Sequence, residues 1–483
     1  MTDSHPVVGW EKEHPVPENY QFNDYLNVRN GRLYMEDLDL FNLFVDDGPG
    51  QVFEQSLPSP LEIVYLPIIG YRIKQMQQFF AEVIDEVGYN GRFYYTYASK
   101  ANAAEEVIRT TLTSGAHHEM SSTVDVDIAR IMIRRGLLTP DKYIICNGFK
   151  PSGGSYASNI LQLRAIHEKI VPVVEDLSEL PSLIESGLSF DVGLRLKTYG
   201  HHTTLEEIET VNSRFGLAIE DMWKAADYIA AAPNLNLTLF HAMVGSQILD
   251  EDEFVSWLKP GIETYARLRQ RHPSLHIFDF GGGMPAPMTL NFTFDYHKFI
   301  RLLLTTLQEV CGRYNVPVPD VMGEFGRYTT SEHGAHLFKI VTAKDNNSKM
   351  PWYIIDGSIM SSFPDSWALQ EHFIVLPLNH LDKPFRQVQL GGLTCDSDDV
   401  YPPKTSHSPL YLPVETENLH IGFFSIGAYQ EMLGGVGGSK HCVIPEAYEL
   451  LIEWGENGRY QFHLLSGQSG ADVLSNLGYQ IEP

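Results

Sequence analysis

Short apolar runs alternate with amphipathic stretches along most of this chain, and the texture changes near residue 345. Apolar, aromatic and β-branched runs at Phe93–Ala98, Tyr143–Cys146, Ile170–Val174, Val192–Leu196, Leu237–Phe240, Ile277–Phe280 and Val321–Gly323 predict strands. Between them, apolar residues recur at helical spacing over Ile73–Val87, Ala104–Thr113, Val124–Arg135 and Ala218–Ala231. Strands separated by helices over residues 61–340 predict a parallel sheet, and that length suits a closed (β/α)8 barrel. A doubly wound sheet is the alternative. Farther on, Trp352–Ile355, Phe373–Pro377, Gln387–Leu390 and Leu419–Phe424 are short strand patterns set apart by Pro, Gly, Asn and Asp. One helix follows at Ala471–Leu477, so residues 341–483 read as a mostly antiparallel β domain. Residues 1–60 are rich in Pro, Asp and Asn, with one strand at Tyr25–Val28 and an apolar loop at Leu40–Val45. This segment is expected to pack with the β domain.

Composition narrows the class. With 483 residues, 43% hydrophobic and 11% aromatic, the chain can build two or three domains with substantial cores. It has no long apolar run and no basic-then-apolar start, so neither a membrane span nor a signal segment is expected. The cysteines, Cys146, Cys311, Cys395 and Cys442, are far apart and form no CxxC, which suits a reduced, cytoplasmic protein without a metal site. Against 35 basic residues stand 61 acidic ones, a net charge of −26. That balance disfavours nucleic acid and anionic membranes, and it would draw in a cationic small molecule. Solubility alone, or adaptation to high salt, also accounts for it.

Candidate chemistry sits at predicted strand ends. Lys100 closes the run Phe93-Tyr94-Tyr95-Thr96-Tyr97-Ala98-Ser99-Lys100, just ahead of a helix start. At the C-terminal face of a barrel such a lysine can serve as a Schiff-base amine, whereas a lone strand-end lysine more often snorkels to solvent. The glycines Gly281, Gly282 and Gly283 follow an apolar strand, where backbone N–H groups can approach a phosphate or simply make a tight turn. Gly323-Glu324-Phe325-Gly326-Arg327 ends another strand. Glu324 could keep a pyridine nitrogen protonated and Arg327 could pair with phosphate, or the two could form a plain salt bridge. Tyr429 could bond a phosphate or serve as a core aromatic. Cys395-Asp396-Ser397-Asp398-Asp399 is an acidic turn with a thiol, either merely solvated or built for a cationic substrate tail; Asp365 is a further candidate for that tail.

Taken in this order, these motifs resemble the fold-type III pyridoxal-phosphate (PLP) decarboxylases that act on arginine, ornithine or diaminopimelate. The texture is most similar to biosynthetic arginine decarboxylases, through Ile145-Cys146-Asn147-Gly148-Phe149-Lys150, Ser213-Arg214-Phe215-Gly216-Leu217, Phe363-Pro364-Asp365-Ser366-Trp367 and Gly427-Ala428-Tyr429-Gln430-Glu431. The resemblance implies an alanine racemase-like PLP barrel plus a β domain, usually a homodimer with shared sites. It implies that Lys100 holds PLP as a Schiff base, and that Gly281, Gly282, Gly283, Gly326, Arg327 and Tyr429 hold the phosphate. Glu324 would pair with the pyridine nitrogen. Cys395 and Asp396 would reach the neighbouring subunit's site, Cys395 as proton donor. Asp396, Asp398 and Asp365 would select a basic side chain, and Glu119, Arg195 and Ser246 would line the pocket. Arginine to agmatine is the reaction implied. Ornithine, lysine, diaminopimelate or a modified amino acid are alternative substrates. Racemases of this fold place an arginine at the pyridine nitrogen, so Glu324 argues against that activity. A non-catalytic homologue would have no need of Lys100, Glu324, Arg327, Cys395 and Tyr429 together. The chain is shorter than the usual arginine enzyme.

One run departs from the family. Its members carry a histidine, one variable residue and Gly-Ser, with the imidazole stacked on the cofactor. Here His241-Ala242-Met243-Val244-Gly245-Ser246 is two residues longer. If Val-Gly-Ser fixes the register, Met243 stacks; if a bulge absorbs the excess, His241 does. The aromatic face of an imidazole suits a pyridine better, which favours His241.

Overall fold

A computed structural model describes residues 5–46, 53–197, 213–345, 350–437, 440–455 and 458–480. The chain forms two compact units: Ile69–Ala286 with Thr293–Thr329, and Met1–Ile68 with Pro287–Phe292 and Thr330–Pro483.

The first unit is a closed barrel of parallel strands. In chain order they are Phe93–Ala98, His117–Met120, Ile144–Cys146, Ile170–Val174, Phe190–Arg195, Leu235–His241, Ile277–Asp279 and Asp320–Phe325, the eighth pairing with the first. Ile145, Val171, Val173, Leu239, Ile277 and Met322 fill the interior. Each such side chain contributes about 1.5–3 kcal/mol by leaving water. Helices follow the strands, including Glu105–Thr113, Thr123–Arg134, Ile219–Ala231, Glu251–Arg271 and Tyr296–Tyr314. Their starts are capped where the sequence offers a short polar side chain: Ser122 accepts from the Asp125 amide, Asp250 from Glu253, and Asp295 from Lys298. The second strand, His117-His118-Glu119-Met120, is absent from the strands read off the sequence. Its polar composition hides it, and parallel pairing to its two neighbours makes it a strand.

The second unit is built on a sheet around Gly334–Lys344, an eleven-residue strand. Antiparallel to it run Leu61–Tyr65, Trp352–Ile355 and His420–Phe424. Two pairings are parallel: Trp352–Ile355 with Phe385–Gly391, and Leu61–Tyr65 with Tyr448–Trp454. The remaining pairs are antiparallel, as in Tyr448–Trp454 with Tyr460–Leu465. Its core gathers Phe338, Tyr353, Phe363, Val375, Leu412 and Phe423. A small sheet of Leu26–Arg29, Arg32–Met35 and Leu38–Asp39 belongs to this unit and is tied to it by Leu33 N–H donating to the Leu378 carbonyl at 3.0 Å.

Candidate active site

Lys100 lies in a single 3-10 turn, Ser99–Ala101, directly after the first barrel strand. Its neighbours Ser99 and Ala101 are fully buried, while Lys100 is exposed. All strands of a parallel barrel point the same way, so every strand's C-terminal end meets at one rim. Glu119, Asn147, Arg195, His241, Asp279 and Glu324 therefore converge there with Lys100, from strands two, three, five, six, seven and eight. Arg195 is drawn to Glu175, 3.1 Å away, with its guanidinium over the Phe215 ring.

Besides Glu175, three buried acids at the rim lie around Asn147 and His241, and they are not equivalent. Asn147 Nδ2 donates to Glu324 Oε1 at 2.8 Å and to Glu119 Oε1 at 3.1 Å. His241 Nε2 lies 3.3 Å from Glu324 Oε2. Burial alone would raise the Glu324 carboxyl, but the His241 imidazole, the Asn147 amide and the Lys100 ammonium together hold it well below its ordinary range. Burial and then the Glu324 charge push both Glu119 and Asp279 up. Glu324 is thus pulled toward its anion, and Glu119 and Asp279 toward their neutral acids.

Beside these acids lies the glycine triplet. Gly281 and Gly283 have φ of +72° and +81°, a conformation that favours glycine. A Cβ on Gly283 would fall 1.8 Å from the Gly245 carbonyl oxygen and 3.1 Å from Ser246 Cα. The turn therefore packs backbone on backbone, with Ser246 exposed next to it. Gly326 is buried, and the half-buried Arg327 opens the short helix Arg327–Thr330. His241 Nδ1 and Glu119 Oε2 are buried without a hydrogen-bond partner. An anionic carboxylate, a lysine, orphaned polar atoms and a glycine turn fit a phosphorylated pyridine aldehyde.

The other candidates belong to the β unit. Cys395 is exposed; Asp396 accepts from the Asp398 amide at 2.8 Å and pairs with His441 at 3.2 Å. Asp398 pairs with Lys404 on the surface at 2.7 Å. Asp399 is 2% exposed and staples the turn, accepting from Ser358, Met360 and Thr394. Asp365, also 2% exposed, accepts from Gln430 Nε2 at 2.8 Å. Tyr429 is half-buried with φ of +70°. Asn147 and Asp279 have no role in the expectations from the sequence, although both stand at strand ends inside the motifs quoted above. That position was the available signal.

Residues 72–331 match the family described as pyridoxal-dependent decarboxylase, pyridoxal binding domain, which is more than half of the chain. The chain belongs to this family: it is a PLP-dependent amino acid decarboxylase, and pyridoxal phosphate is its cofactor. Among curated relatives, a biosynthetic arginine decarboxylase of Prochlorococcus marinus is 22% identical over 89% of this chain and 84% of its own length. The fold is similar to that of the biosynthetic arginine decarboxylase from Campylobacter jejuni, with a TM-score of 0.77, 20% identity, and 95% and 89% of the two chains covered. It is also similar to that of diaminopimelate decarboxylase from M. jannaschii in co-complex with L-lysine, with a TM-score of 0.76, 19% identity and coverage of 96% and 99%.

Proposed function

We propose that this protein decarboxylates a basic L-amino acid, arginine to agmatine, with Lys100 as the residue that carries the cofactor. The observation that carries the reading is geometric: Lys100, the glycine turn Gly281–Gly283 and a buried Glu324 bonded by His241 and Asn147 stand at the C-terminal rim of one parallel barrel. A bound PLP supplies an electron sink for the carbanion left when CO2 departs. Glu324 holds a proton on the ring nitrogen, because an anion at that point stabilises the charged pyridinium. The backbone of Gly281, Gly282, Gly283 and Gly326, the Ser246 hydroxyl, the Arg327 guanidinium and the Tyr429 hydroxyl hold the phosphate.

Cys395 delivers the proton to Cα, and Asp396 pairs with the guanidinium of the substrate, a charge-assisted contact that discriminates strongly. The enzyme works as a cytoplasmic homodimer with shared sites; its four cysteines, none in a disulfide, suit a reducing compartment. The names of the arginine decarboxylase relatives support the choice of substrate. The test is product chromatography with arginine, ornithine, lysine and diaminopimelate. Agmatine from arginine as the dominant product is expected. Dominant turnover of diaminopimelate would overturn the choice of arginine, and turnover of only non-cationic amino acids would overturn the role of Asp396.

A further inference from the structure

The run after the sixth barrel strand is pinned at both ends. At its start, the Ala242 N–H donates to the Asp279 carbonyl at 2.8 Å and the Leu196 N–H donates to the His241 carbonyl at 2.9 Å. At its end, the Gln247 N–H donates to the Gly283 carbonyl at 3.0 Å, and Gly245 lies against Gly283. Between these anchors lie Met243, Val244, Gly245 and Ser246. His241 is 1% exposed, with Nε2 turned to Glu324. Met243 is partly exposed, and its Cβ and Sδ both lie 3.0 Å from the Cβ position of Gly281. His241 Nε2 lies 3.3 Å from the same point. A side chain that stacks on an entering ring has to be reachable from the rim, and of these two Met243 is the one with exposed surface.

We propose that this run divides two tasks between two residues: Met243 covers the face of the cofactor ring, and His241 is a positioning residue that holds Glu324. The inference rests on the PLP reading above. A thioether against an aromatic ring is a favourable contact, adaptable in shape. The groups around Glu324 are His241, Asn147, Lys100, Glu119 and Asp279. Of these, His241 and Asn147 bond the carboxylate directly. Loss of the imidazole leaves Glu324 easier to protonate, so the acidic limb of cofactor binding moves to higher pH.

The test is titration of cofactor-free protein with PLP, followed by absorbance across pH, with melting temperatures to show that each variant folds. Met243→Ala is expected to weaken PLP binding roughly tenfold, and Met243→Leu to stay within about threefold of wild type. His241→Phe keeps an aromatic face but cannot bond Glu324. It is expected to bind within about threefold at alkaline pH with its acidic limb shifted upward by about one unit. The division of roles is overturned if Met243→Ala binds like wild type, or if His241→Phe leaves the pH profile unmoved. A wild-type protein that binds no PLP would instead overturn the cofactor reading itself.

Discussion

Replacing Asn147 by leucine removes the amide that bridges Glu324 and Glu119 at 2.8 and 3.1 Å. A hydrogen bond to a charged carboxylate contributes about 1.5–3 kcal/mol, and one to a neutral carboxyl about 0.5–1.5 kcal/mol. Asn147 Oδ1 is buried without a partner, so its removal returns about 1 kcal/mol. The expected net loss is about 2 kcal/mol of stability in the cofactor-free protein. The bond to Glu324 favours its anion, and one pKa unit corresponds to about 1.4 kcal/mol, so the Glu324 carboxyl should rise by about one to two units. Chemical unfolding at pH 7.5 reads the first effect. PLP titration carried down to about pH 3 reads the second, as an acidic limb moved toward higher pH. Stability within about 0.5 kcal/mol of wild type, together with an unmoved limb, would refute the bridge.

Two further outcomes follow from other parts of the barrel unit. His118 is fully buried, and burial lowers its imidazole to about 4. The neutral form is the one the fold accepts, so its contribution is complete above the ordinary value near 6.5 and is lost as pH falls toward 4, about 3 kcal/mol in all. His118→Phe should shrink the loss of stability between pH 7 and pH 4 by about that amount, measured by urea unfolding at each pH; an unchanged decline would contradict this. Gly283→Ala would place its Cβ 1.8 Å from the Gly245 carbonyl at a φ of +81°, so the turn must open. PLP affinity should fall at least about tenfold by spectral titration, and wild-type affinity would show that the turn does not hold the phosphate.

Much of this fold was legible because the barrel strands are apolar runs between amphipathic helices; Phe93–Ala98 and Ile170–Val174 fall where the pattern predicts them. His117–Met120 was not legible, since a strand made of two histidines, a glutamate and a methionine carries no apolar signature. Gly334–Lys344 also escaped, because its first half is buried on both faces and most of its second half is exposed, giving no single period. At the site, Lys100 and Glu324 stood out by position, and the structure brings both to the barrel rim. What one sequence could not show is which acid is charged. Glu119, Asp279 and Glu324 look alike on paper and all three are buried; their contacts to His241, Asn147 and one another separate them. Asp365 looked available for a substrate tail; the fold buries it against Gln430.

The central claim is that Lys100 is the lysine that carries the cofactor. The most direct measurement is to reduce the purified, PLP-loaded enzyme with borohydride, digest it and locate the pyridoxyl group by mass spectrometry. The label is expected on the peptide containing Lys100, and none is expected in Lys100→Ala. A label on another lysine, or retained in that variant, would contradict it.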